Sequence, residues 1–238
     1  MGILNYDFLS RQMIETIEKE NMQHKIISID LETKVLDKND FLSGERILAF
    51  GIVRRVGGEI KKKIIVLQED TDEAEMKLLN EVGWCMGKIQ PLVLLGYNIG
   101  GYDLPLLNIK LKWYENVLRE KNNGQKSSLP NEYWNFRDAI VGSYMLDMMY
   151  LLKFIIAEYD KTTPRYKSLD DVVNHPMYSH LPLLRRKGIA SGDCTQDKGK
   201  TIYELWKSKN PDFERYLEGD VVDVLVLMEE WSRKTTKL

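Results

Sequence analysis

Apolar residues recur along this chain in two rhythms, one near four residues and one of two, and the switches between them outline the elements. From Met1 to about His24, Ile3, Phe8, Leu9, Met13, Ile14 and Ile17 fall at roughly helical spacing, which predicts an amphipathic helix laid on the body of the protein. KIISIDLET, ERILAFGIVRRV and KKKIIVLQ then read as three strands, with Gly57-Gly58 supplying the positive φ of a hairpin between the last two. Helical spacing returns from Asp72 to about Lys88 through Met76, Leu79 and Val82, and PLVLLGYN follows as an apolar strand buried on both faces. A long helix is expected from about Leu104 to Lys121, then a polar loop, NNGQKSSLPNE. The apolar stretch AIVGSYMLDMMYLLKFIIAEY divides into a fifth strand and a helix. Short helices around Ser168–Asn174 and Ile202–Ser208 precede a last one from near Pro211, where proline suits the first turn, to near Arg233.

The order βββαβαβ followed by helices resembles the ribonuclease H-like fold, an α/β architecture in which helices flank a mixed five-stranded sheet. Such a fold names no activity by itself. One domain is expected over residues 25–238, with residues 1–24 as a helical extension. The chain is 43% hydrophobic and 29% charged, which excludes wholesale disorder. No apolar run is long enough to span a bilayer and no signal-peptide pattern opens the sequence, so a cytoplasmic protein without membrane contact is the expectation. Cys85 and Cys194 lie far apart with no CxxC spacing, which indicates neither a thiolate zinc site nor a disulfide framework. A formal net charge of −2 excludes a strongly basic coat but leaves room for a local basic patch.

The remaining chemistry lies in carboxylates. Asp30 and Glu32 stand two apart on an expected strand, so both project from one face. Side by side among hydrophobic neighbours, they suit a divalent metal; the alternative is a salt-bridged strand end. Asp212-Phe-Glu214 repeats the spacing in the first turn of a helix, where acids favour the dipole and sit in water. Asp103 follows a glycine pair and precedes LPLL, which makes it either a ligand or a helix N-cap. In the last helix Asp220 falls within the apolar stripe one turn beyond Tyr216, so hydroxyl and carboxylate can reach the same point. Tyr166 and Asp170 share that spacing at the mouth of a short helix, with Asp170 solvated or capping. Asp147 and Asp223 are read as structural.

Taken in chain order, SIDLET, GYNIGGYDLPLL and YLEGD resemble the three exonuclease motifs of the proofreading domain of family B DNA polymerases, in the DEDDy branch of 3′–5′ exonucleases. The middle motif is the specific one, through Asn98, Tyr102, Asp103, Pro105 and Leu107. GSYMLDMMYLL and YKSLDDVV also look like the family's linking segments, so the resemblance runs from about Lys25 to Trp231. It implies a stand-alone exonuclease without palm or fingers. Asp30, Glu32, Asp103 and Asp220 become the acids that hold two Mg²⁺ or Mn²⁺ ions, and Tyr216 the tyrosine that orients the attacking water. Without cations, four such acids would repel one another. Thr33, Asn98 and Tyr102 become contacts to the terminal nucleotides and Lys167 a contact to a phosphate. The substrate implied is the 3′ end of DNA, single-stranded; an RNA exonuclease and a non-catalytic nucleic-acid-binding module are the alternatives. The chain departs from the family in its N-terminal extension and in SHLPLLRRKGIASGDCTQDKGK, where Arg185, Arg186, Lys187, Lys198 and Lys200 form either a basic edge or a solvated loop.

Overall fold

The computed structural model describes residues 3–36, 42, 44–121, 129–184 and 198–235. Helix α1 (Ile3–Lys19) is followed by an antiparallel meander of β1 (Ile26–Val35), β2 (Glu45–Val56) and β3 (Glu59–Val66). Gly57 and Gly58 make the tight turn between the last two at φ of 58° and 85°, which glycine adopts without steric cost. β2 lies inside the sheet, with every residue from Glu45 to Val53 buried.

Helix α2 (Asp72–Ile89) then carries the chain back across the sheet. Thr71 starts it by accepting from the Ala74 N–H at 3.2 Å, and Asp72, Glu73 and Glu75 place negative charge at the positive end of its dipole. β4 (Val93–Gly96) runs parallel to β1, as a helical crossover demands. The rest of the chain supplies α3 (Asp103–Lys121), α4 (Asn131–Gly142), β5 (Tyr144–Asp147), α5 (Met148–Asp160), α6 (Leu169–Val173), α7 (Lys198–Lys207) and α8 (Asp212–Thr235). β5 is parallel to β4, and the five strands form one mixed sheet in the order β3-β2-β1-β4-β5.

One feature departs from the sequence reading and a second adds to it. Helix α4 occupies the end of the expected polar loop and the start of the expected fifth strand, leaving β5 only four residues. Tyr133, Phe136, Ala139 and Ile140 are its buried residues, a helical spacing that the neighbouring polar and aromatic residues obscure. Glycines at 83 and 87 let α4 sit close on α2: a Cβ at Gly83 would lie 2.0 Å from the Glu132 carbonyl oxygen. The second feature is the function of α1 as an edge cover. The Tyr6 hydroxyl donates to the Met145 carbonyl at 3.1 Å and accepts from the Asp147 N–H at 2.9 Å. A single side chain therefore engages one carbonyl and one N–H on the outer side of β5, an edge strand that would otherwise be more open to pairing. Ser10 bonds the Tyr144 hydroxyl at 3.0 Å, and the Arg11 guanidinium lies 5.0 Å from the centre of the Trp231 ring. Among the described residues no helix is long and apolar enough to cross a membrane.

The position of α8 decides the site. It lies over β1, β2 and β3, and it packs tightly on Gly51 of β2, the residue paired with Asp30. A Cβ at position 51 would be 2.9 Å from Val221 Cγ1 and 3.2 Å from Leu217 Cγ. Glycine there lets the turn of α8 that carries Tyr216 and Asp220 settle against the part of the sheet that carries Asp30.

Candidate metal centre

Strand alternation places Asp30 and Glu32 on one face of β1, where both are half-buried. The ladder to β2 slips immediately after Glu32: Glu32 pairs with Ala49 but Thr33 pairs with Ile47. The extra residue on β2 makes a bulge that adds local twist just past the carboxylates, and the ladder then resumes through Val35, paired with Glu45. From α8, Asp220 reaches the same place. One carboxylate oxygen from each of Asp30, Glu32 and Asp220 lies within 4.8 Å of the others. Trans oxygens on a hard divalent ion are about 4.2 Å apart for Mg²⁺ and about 4.8 Å for Ca²⁺, so three oxygens this close are compatible with sharing one cation. The donors are all carboxylate oxygens, the set that suits a hard ion such as Mg²⁺, Ca²⁺ or Mn²⁺ over softer metals. Tyr216, 5% exposed, sits one helical turn before Asp220, which is 8% exposed.

Asp103 stands beside the trio but is not one of the three grouped acids. It is the first residue of α3 and 4% exposed, and its carboxylate receives the backbone N–H groups of Leu31 and of Asp103 itself. Burial pushes its pKa up to about 8, and the charges of Asp147 and Asp220 add to the rise. In the metal-free protein it therefore keeps its proton near neutrality, while an adjacent cation would favour release.

The loop between β4 and α3 explains the crowded GYNIGGYD stretch. Asn98 holds a left-handed backbone, φ 63°, and its carbonyl accepts from the N–H groups of Gly101 and Tyr102 at 3.0 and 3.2 Å. A Cβ at position 101 would lie 2.4 Å from Asn98 Oδ1, so the second glycine makes room for that side chain. Asp147 ties the loop from below, accepting from the N–H groups of Asn98 at 3.0 Å and Gly100 at 3.3 Å while it caps α5 through Met149. Burial raises the pKa of Asp147, and these N–H bonds pull it back. Its place is structural, as is that of fully buried Asp223, which accepts from the Leu184 N–H at 2.6 Å.

Thr33 and Tyr102 meet each other. Their hydroxyls are 2.7 Å apart, and both donate to Oε2 of Glu45, Thr33 at 2.6 Å. Burial raises the Tyr102 pKa, and the carboxylate of Glu45 adds to it. Glu45 is only 5% exposed and did not stand out in the sequence, where an acid opening the run ERILAF resembles a solvated strand end. Lys167 lies far from these hydroxyls in the chain but is joined to the same loop: its carbonyl accepts from the Tyr97 hydroxyl at 2.5 Å, and its ammonium is 3.9 Å from Asp160.

Elsewhere, Asp212 and Glu214 occupy the first turn of α8, and Tyr166 and Asp170 are both exposed. Arg185, Arg186, Lys187 and Cys194 lie outside the described residues, and Lys198 and Lys200 fall in the first turn of α7. Cys85 is buried and reduced.

No protein-family model and no curated protein matches the chain. Among solved structures it is similar to the family B DNA polymerase from the hyperthermophilic archaeon Pyrobaculum calidifontis, with a TM-score of 0.56 and 18% identity. The match covers 86% of this chain and 24% of the polymerase, so the chain spans about a quarter of that protein's length. At this identity the likeness concerns the fold, which is α/β and ribonuclease H-like, a mixed five-stranded sheet flanked by helices.

Proposed function

We propose that the protein is a metal-dependent 3′–5′ exonuclease that hydrolyses the phosphodiester bonds of DNA, preferring single strands. The observation that carries this reading is the convergence of Asp30, Glu32 and Asp220, from two distant parts of the chain, on one 4.8 Å cluster with Tyr216 a turn away. The fold shared with a family B polymerase supports it.

Asp30, Glu32 and Asp220, with Asp103 beside them, are the residues to hold two Mg²⁺ or Mn²⁺ ions. When bound, such ions supply Lewis-acid activation and neutralise the charge that grows on the phosphate. The protein's own part is positioning. The Tyr216 hydroxyl holds the attacking water in line with the phosphorus, and the buried wall of α8 keeps the ring from swinging away. Asn98 and Thr33 bond the sugar and backbone of the terminal nucleotides, and the Tyr102 ring packs on a base while its hydroxyl is anchored on Glu45. Lys167 meets a phosphate farther along the strand.

The test is incubation of the purified protein with 3′- and 5′-labelled DNA and RNA strands in Mg²⁺, Mn²⁺ or EDTA. Stepwise shortening from the 3′ end of DNA, abolished by EDTA, is expected. Full activity in EDTA, cleavage from the 5′ end, or exclusive attack on RNA would each overturn the corresponding part of the reading.

A further inference from the structure

A groove of about 570 Å³ lies between α5 and the segment 161–167, outside the carboxylate cluster. Its lining includes Lys153, Arg165 and Lys167 against one acid, Asp160. That acid bonds His175 Nε2 at 3.1 Å and lies 3.9 Å from the Lys167 ammonium. The excess of positive charge is local, because the chain as a whole carries −2. On the edge strand β3, by contrast, Lys61, Lys62 and Lys63 each have an acid of their own, Glu59, Glu218 and Glu81, whereas one acid serves the three cations of the groove.

The cations of the groove are mixed with aromatic faces. The Lys153 ammonium lies 3.8 Å from the centre of the Tyr166 ring, 4.3 Å from that of Tyr150 and 4.9 Å from that of Phe154. Three rings hold it in one place, so little side-chain freedom is lost when it meets an anion. Tyr166 is 58% exposed, a ring backed by a cation and open on its other side, which is the arrangement of a base-stacking platform. The Tyr97 hydroxyl bonds the Lys167 carbonyl, which ties this groove to the loop bearing Asn98, Tyr102 and Asp103.

We propose that this groove carries the sugar-phosphate backbone of the single strand upstream of its 3′ end, with Lys153 and Arg165 on successive phosphates and one base on Tyr166. The proposal rests on the nuclease reading and deepens it: the carboxylate cluster receives the terminal nucleotides and the groove receives those that follow. Affinity then grows with strand length until the groove is filled.

The experiment measures binding of fluorescent oligothymidylates of about three to twelve nucleotides in Ca²⁺, by anisotropy at several salt concentrations, for parent, Lys153→Ala/Arg165→Ala and Arg165→Glu. Arg165 is exposed, so the single variant keeps the test sound if loss of Lys153 disturbs its three rings. In the parent, affinity should climb with length. In the double variant the long strands should lose roughly ten- to a hundredfold and the shortest almost nothing, with the salt slope falling by about 1.4, or about 0.7 for each phosphate no longer neutralised. Arg165→Glu should show the same length-selective loss. Variants that bind every length as the parent does, while the parent still cleaves DNA, would overturn the groove and leave the nuclease site in place. Length-dependent binding that disappears in the variants, by a parent that never cleaves, would retain the groove and overturn the nuclease reading.

Discussion

Tyr216 and Asp220 stand four residues apart, as do Tyr166 and Asp170, yet the two pairs have nothing further in common. Tyr216 and Asp220 belong to the same helix, α8, and lie one above the other on its buried face. Tyr166 precedes the first residue of α6 and points into a solvent groove, while Asp170 sits exposed in that helix's first turn. A four-residue interval joins two side chains only where the intervening backbone is helical. The same holds for Asp30 and Glu32 against Asp212 and Glu214. On a strand, residues two apart share a face; on a helix they are separated by roughly 200° and point different ways.

The largest effect that would break this comparison comes from the carboxylates. Asp30→Ala and Asp220→Ala should each lower cleavage by about a thousandfold or more, as loss of several kcal/mol of charge stabilisation implies, while Asp212→Ala and Asp170→Ala leave the rate unchanged. Single-turnover assays at saturating Mg²⁺ measure this, and a parental rate in either of the first two variants would misplace the site.

Tyr216→Phe keeps the ring in its place and deletes the hydroxyl. Its turnover should fall roughly tenfold to a thousandfold, the loss typical of one preorganised hydrogen-bond donor, with the melting temperature nearly unchanged. Tyr166→Phe should cleave like the parent. Equal rates for parent and Tyr216→Phe would reduce the buried pair to packing.

A smaller effect is expected at Tyr102. Its replacement by alanine should weaken binding of short oligonucleotides in Ca²⁺ by about 1–3 kcal/mol, the worth of one stacked base. Tyr166→Ala should weaken only the longer strands, which separates the ring at the carboxylate cluster from the one in the groove. Unchanged affinity in Tyr102→Ala would remove its ring from substrate contact.

The last effect is read in stability rather than in turnover or binding and concerns pH in the metal-free protein. Folding raises the Asp103 pKa from the ordinary carboxylate range near 4 to about 8, so the native state binds this proton more tightly than the unfolded chain does. Asp103 therefore contributes stability that is present below about pH 4 and is lost as pH rises through about 8. In EDTA, Asp103→Asn, neutral at every pH, should remove this part of the slope and melt above the parent near pH 9. Calorimetry between pH 5 and 9 decides it, and parallel curves for the two proteins would place Asp103 in a less hostile site.

Much of this architecture was legible in short windows of sequence. The run ERILAFGIVRRV is β2 from its first residue to its last, because apolar continuity reports burial directly. Gly57-Gly58 announced a hairpin, since few other residues adopt the positive φ that the turn needs. Helix α4 was harder: Tyr133, Phe136 and Ala139 lie among polar residues, and what stabilises them is the close seat on Gly83 and Gly87 of α2, some fifty residues earlier. The edge-covering bond of Tyr6 and the sharing of Glu45 by Thr33 and Tyr102 were equally hidden, because each joins residues far apart in the chain.

The sequence by itself determined most of the elements, α4 excepted, and that Asp30, Glu32 and Asp220 are set in apolar surroundings, since propensity, periodicity and turn chemistry act over a few residues. Only the tertiary structure decided which of those acids meet. Asp30 and Glu32 share a face through strand alternation alone, but Asp220 joins them because the chain crosses the sheet and α8 comes down on Gly51, a residue with no side chain to hold it away. That approach is a fact of packing, set by what lies opposite rather than by what lies next in the chain.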